Sequence, residues 1–206
     1  MQMKSIVLCF AVSLALAAGL TGCRIQTDKD ANGQDKKVQI DTPFGGVHVN
    51  TDQTTASDLG LPLYPGAELS RDKDNHGSAD VHIGFGEWQL RVKAVSYTTP
   101  DSRDKIAAFY KKALARYGDV LTCQGHEPVG KPSVTAEGLS CADDSKHVNI
   151  KDNNNIDIGT EYQLKAGSKR HQHIVGFDPA KDGKTPFSLV LLDLPQGMDK
   201  DDGKND

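Results

Sequence analysis

The sequence predicts an α+β domain in which one main helix packs on a mainly antiparallel β-sheet. Three observations carry this. Ile106, Phe109, Tyr110, Ala113, Leu114 and Tyr117 form one apolar stripe at helical spacing. Two alternating segments, Ala79–Phe85 and Trp88–Tyr97, flank a Gly-Phe-Gly turn at 84–86 and read as a half-buried antiparallel pair. After the helix come short segments separated by polar turns, which suit further strands of one sheet.

The chain opens on Met-Gln-Met-Lys and an apolar run from Ile6 to Leu20, ending in Leu20-Thr21-Gly22-Cys23. A positive start, a short apolar stretch and small residues at a cut site make residues 1–22 a secretory signal peptide. The run is about 15 residues, short of the roughly 20 that a membrane span needs. The last four residues resemble a bacterial lipobox. That resemblance implies diacylglycerol on the Cys23 thiol, cleavage before it and acylation of the new amino group. Two or three acyl chains anchor firmly, where a single myristoyl-sized chain binds only marginally. Arg24 follows where such lipoproteins carry Asp for inner-membrane retention, so the outer membrane, on its periplasmic side, is favoured.

Residues 23–58 are expected to be a flexible tether with a small hairpin. Arg24 to Lys37 offers little to bury. Val38–Asp41 and Val47–Asn50 alternate around Pro43, Gly45 and Gly46, but a hairpin with so few apolar residues is marginal alone.

The main domain is expected over 59–195. Leu61-Pro62-Leu63-Tyr64-Pro65-Gly66-Ala67 carries two prolines, so it is an extended lead-in that covers the core. The helix is expected from Asp101 to Tyr117, with Asp101 and Asp104 at its start and Gly118 as a left-handed cap. Strands are expected at Val120–Cys123, Val148–Ile150, Ile158–Leu164, His173–Phe177 and Phe187–Leu194, and 196–206 as a disordered charged tail. "Tyr-Pro-Gly-Ala", a strand running into Thr-Thr-Pro-Asp-Ser, and "Phe-Tyr-Lys-Lys-x-Leu-x-x-x-Gly" together resemble a group of uncharacterised bacterial envelope lipoprotein domains. The resemblance covers Leu61 to Gly118, implies a small α+β domain and supplies no catalytic residues.

Without residues 1–22 the 206-residue chain keeps 184, loses Lys4, and its formal charge moves from −4 to −5. A weakly acidic chain argues against nucleic acid as a partner. Cys9 lies in the signal and Cys23 is the lipid site, which leaves Cys123 and Cys141. In an exported chain such an even pair is expected to be a disulfide. Closing that loop, 18 residues apart, stabilises the fold by roughly 3 kcal/mol in the chain-entropy account.

Motifs that point to chemistry each lack a companion. Asp28-Lys29-Asp30-Ala31-Asn32-Gly33 begins like a calcium loop, but Asp35 falls where an apolar residue belongs and Gln39 where the bidentate Glu belongs. His171 and His173 share a strand face, as metal ligands would, yet Lys169 and Arg170 oppose a cation and no partner carboxylate is evident nearby. His82 and His147 reach them only through the fold; polar-face histidines are the simpler reading. Ser-x-x-Lys occurs at Ser70–Lys73 and Ser102–Lys105 without Ser-Asp-Asn or Lys-Thr-Gly; Lys184-Thr185-Pro186 is a partial echo. Ser102 is expected to cap the helix. Gly138-Leu139-Ser140-Cys141-Ala142 lacks the last glycine of a nucleophile elbow, and Gly84-Phe85-Gly86 opens no helix.

The expected role is therefore a membrane-anchored envelope lipoprotein that is not an enzyme, with no catalytic residues, metal or cofactor. Its expected partners are the lipid bilayer, through acylated Cys23, and an envelope protein or component. The alternative is a small-ligand or metal-binding lipoprotein with a pocket between helix and sheet.

Overall fold

A computed structural model of the chain describes residues 23–29, 35–71, 77–142 and 162–197. The signal segment 1–22, residues 30–33 of the acidic loop, Lys73, His147, the strand expected at 148–150 and the tail from 198 lie outside the described residues.

Strand dominates: 51% of the structure is strand and 15% helix. All the strands among the described residues join one antiparallel sheet. They are β1 (Arg24–Lys29), β2 (Asp35–Thr42), β3 (Gly45–Thr51), β4 (Glu68–Leu69), β5 (Ser78–Phe85) and β6 (Trp88–Thr99). They continue with β7 (Val120–Gln124), β8 (Glu127–Pro128), β9 (Tyr162–Gly167), β10 (His171–Phe177) and β11 (Thr185–Asp193). The order across the sheet is β1-β2-β3-β5-β6-β11-β10-β9-β7-β8, and β4 adds to β6 beyond the end of β5.

Helix α1 (Arg103–Leu114) runs on through a 3-10 turn at Ala115–Tyr117. It covers the β6-β11-β10-β9 half of one face. Ile106, Ala107, Tyr110 and Leu114 are buried there among Val95, Tyr97, Leu164, Ala166, Val175, Phe177, Phe187 and Leu189. The lead-in segment, which its two prolines keep out of helix and central strand, closes the core from the side. Leu59, Leu61 and Tyr64 are buried, with the Tyr64 ring 5.2 Å from Phe109 and 6.2 Å from Phe187. The Tyr110 hydroxyl donates to the Pro62 carbonyl at 3.1 Å, and burial pushes this phenol far above its usual range. A smaller core of Leu121, Cys123, Leu139 and Cys141 lies beside β7.

Several expectations are corrected. Residues 24–29, read as tether, form β1 and pair with β2 from Arg24↔Asp41 to Lys29↔Asp35. The hairpin is not separate: β3 pairs with β5 along Gly45–Thr51, so Val47 meets Ile83 and Val49 meets Val81. Those long-range pairs supply the stability that two short strands lack alone. The ninth strand runs to Gly167, beyond the expected Leu164. Gly118 has φ 117° and ψ −155° and ends the 3-10 turn, while the helix itself ends at Ala115 in right-handed geometry.

Candidate functional site

Three groupings of chemistry-bearing residues stand on the described structure, and the register relates them. In β5 and β6, Ser78, Asp80, His82, Gln89, Arg91, Lys93 and Val95 share the helix-side face, because side chains alternate along a strand. The pairing carries that face onto His48 and Gly46 of β3 and onto Asp41 of β2. Beyond α1, therefore, the face turns polar.

The first grouping is an open depression of about 300 Å³ in this polar half, lined by Asp41, Gly45, Gly46, His48, His82, Gly84, Gly86 and Gln89. The glycines make its floor. A Cβ at Gly84 would lie 2.7 Å from Gln89 Oε1, and one at Gly46 would lie 3.2 Å from Asp41 Oδ1. The polar groups around it pair with one another. His48 Nε2 meets Asp41 Oδ1 at 3.0 Å, and His82 Nε2 meets Gln89 Oε1 at 2.6 Å. Gln39 also donates to Asp41 at 2.7 Å, and these bonds from His48 and Gln39 hold the Asp41 carboxyl below its usual range. His82, placed by sequence as a distant partner of His171, instead stands edge-on to His48, with ring centroids 6.2 Å apart.

The second grouping surrounds His171 and His173, which do share a face, their rings 5.2 Å apart. That face is the core face, the one carrying Val175 and Phe177. His173 is accordingly 3% exposed, which corrects the expectation of a polar-face residue. Its ring stacks on Tyr117, whose hydroxyl donates to the Gly60 carbonyl at 2.6 Å. Burial, with His171 nearby, pushes the His173 imidazole down to about 4. Nδ1 of His173 has no hydrogen-bond partner among the described residues. His171 Nδ1 pairs with Asp193, the carboxylate that the sequence did not place nearby; Asp193 lies opposite it in the β10–β11 register. No group of three or more His, Cys, Asp or Glu side chains converges as a metal site would among the described residues.

The third grouping is the cysteines. Cys123 and Cys141 are bonded, with Cα atoms 5.7 Å apart, inside the 4.4–6.8 Å span that the bond requires. Cys23 is exposed and stands immediately before β1 at the outer margin of the sheet. Of the serine motifs, Ser70 donates its backbone N–H to the Ser96 carbonyl at 2.9 Å, and its Lys73 lies outside the described residues. Ser102 is the N-cap of α1, but its side chain makes no cap bond; its carbonyl accepts from Lys105 and Ile106. Lys105 Nζ goes to Asp101 at 2.9 Å, and Lys105 and Tyr64 together lower the Asp101 carboxyl. Gly84 and Phe85 end β5, and Gly86 turns the chain into β6.

Sequence reasoning missed Lys165. It is fully buried, and its Nζ donates to the Ser140 carbonyl at 3.1 Å. A lysine amid Leu164 and Ala166 signals a strand whose far face is polar, but nothing local shows that face to be closed. No helix among the described residues is long and apolar enough to cross a membrane. No family of known proteins, no curated protein and no solved structure matches this chain.

Proposed function

We propose that this chain is a bacterial envelope lipoprotein held on the bilayer through acylated Cys23, with a non-enzymatic binding or structural role. The observation that carries the reading is the position of Cys23. It is exposed, follows Leu20-Thr21-Gly22, and stands one residue before the first strand. Its thiol and its amino group are thus presented at the rim of a folded domain rather than within it. Arg24 after the cysteine favours the outer membrane. The disulfide between Cys123 and Cys141 suits an oxidising compartment.

A binding or structural role is supported by what the titratable side chains do. Asp41 is tied to His48, His82 to Gln89, Asp193 to His171 and Lys105 to Asp101. No serine, threonine or cysteine takes part in these bonds, as a nucleophile held by its base would.

Membrane fractionation of the wild type against Cys23→Ala tests the anchor. The wild type is expected in the membrane fraction carrying metabolically incorporated palmitate, and the variant in the soluble or uncut fraction. Wild-type protein that incorporated no palmitate, or that sedimented with membranes no more than the cleaved Cys23→Ala variant, would reject the reading.

A further inference from the structure

The register places Cys23 beside a group of exposed aromatic side chains. Across the N-terminal half of the sheet, Arg24 is opposite Asp41, Asp41 opposite Gly46, Gly46 opposite Gly84, and Gly84 opposite Gln89. The next row toward the sheet's end is Thr42, Gly45, Phe85 and Trp88. Cys23 precedes Arg24 and so stands at the margin of that end row. With strands about 4.8 Å apart, three strand spacings put it roughly 15 Å from Phe85.

Phe44, in the β2–β3 turn, is 85% exposed, Phe85 is 50% exposed and Trp88 is 37% exposed. They are the largely exposed aromatic side chains among the described residues, and all three lie at this one end. Phe85 and Trp88 have ring centroids 6.2 Å apart. Phe85 lies across Gly45, where a Cβ would come within 2.5 Å of its ring. Ile25, at the start of β1, adds an apolar side chain 67% exposed. Isolated exposed apolar residues are ordinary, but a cluster at one end marks a contact surface. The nearby charges, Arg24, Asp41 and Glu87, leave no excess of positive charge, so the end attracts through apolar surface rather than through basic side chains.

We propose that this end of the sheet docks on the lipid bilayer, with Phe44, Phe85 and Trp88 entering the interfacial layer beside the acylated Cys23. The proposal rests on the reading of Cys23 as the lipid site. β1 begins at the residue after Cys23, so no spacer separates the anchor from the sheet. An acylated Cys23 therefore brings the end row to the headgroups. Trp and Phe suit that layer, where an aromatic ring buries its apolar body and Trp keeps its N–H hydrated. The acyl chains and the aromatic rings then act as two adjacent attachments, which fixes the domain's orientation as well as its location.

Trp88 is the chain's single tryptophan and reports directly. Full-length lipidated protein is reconstituted in phosphatidylcholine–phosphatidylethanolamine vesicles, with or without bromine on the acyl chains near the headgroups. Trp88 emission is expected to be quenched by the brominated lipid. F44S/F85S is expected to restore emission toward its unbrominated level while the protein still sediments with the vesicles. Sedimenting wild-type protein whose Trp88 is not quenched overturns the docking while leaving the anchor intact. Emission that is shifted to the blue, unquenched, and reversed on raising the lipid-to-protein ratio overturns it in favour of contact between copies. Protein that does not sediment defeats the anchor, and the docking with it.

Discussion

Tyr117 lies flat against His173: the ring centroids are 3.6 Å apart and the planes within 15°. The stack closes the C-terminal end of α1 onto β10 and keeps the imidazole from water. In the unfolded chain this histidine titrates near 6.5, and in the fold near 4. Below about pH 6.5 the unfolded chain therefore takes up a proton that the folded chain refuses, and stability falls as pH drops toward 4. By pH 5 the loss from this group reaches about 2 kcal/mol. Urea unfolding at pH 7 and pH 5 checks it, and His173→Phe, which keeps the stack, should flatten the difference. Stopping at pH 5 keeps the depressed carboxyls of Asp41, Asp58 and Asp101 out of the measurement, and Glu68→Gln removes the contribution of the fourth, which Lys184 lowers.

The bond between Cys123 and Cys141 ties the loop after β7 into the smaller core. Replacing both cysteines with alanine should lower unfolding stability by roughly 3 kcal/mol. Thiol titration of unreduced mature protein should detect neither cysteine. A free thiol at either position would count against the pairing.

Leu114 is fully buried at the last turn of α1. Leu114→Ala should cost about 2–5 kcal/mol, since the surrounding Leu164, Ala166 and Val175 cannot follow a retreating side chain. A change under about 0.5 kcal/mol would place the helix elsewhere.

Gly45 meets the neighbouring strand too closely for any side chain. A Cβ there would fall 2.1 Å from the Gly84 carbonyl oxygen and 2.9 Å from Phe85 Cα, both backbone atoms. Gly45→Ala should cost roughly 1–3 kcal/mol by forcing β3 from β5 at the tip. Denaturant unfolding measures the cost, and Trp88 emission follows the tip. Unchanged values would mean that the two tips are not paired.

What the sequence made legible followed from local periodicity. The stripe from Ile106 to Leu114 identified α1, and alternation identified β5, β6 and the 38–50 hairpin. Arg24–Lys29 escaped because an edge strand exposed on both faces has no burial pattern to display; Ile25 is its one strong apolar residue. The hairpin looked marginal because its partner, β5, lies some thirty residues on and the Val47–Ile83 pairing leaves no local trace. His171 and His173 were read onto one face correctly, but which face is core depends on where α1 lands. Asp193 joined them only through the β10–β11 register. The disulfide was legible because an even pair in a chain expected to be exported constrains it without geometry.

The two margins of the sheet are unlike. β8 is two residues long and contains Pro128, which cannot donate to a further strand. β1 is six residues long, exposed throughout, and has no strand on its outer side among the described residues. A free domain could add another copy there about a two-fold axis, β1 against β1 in the antiparallel pairing that proteins use most. On the proposed anchoring every copy has its β1 start at the bilayer, so neighbouring β1 strands all point the same way. An antiparallel match would require one copy to be inverted and pulled from its lipid. The anchor thus polices the open edge: confinement to a plane crowds the molecules together, and their shared polarity denies them the easiest way to stick.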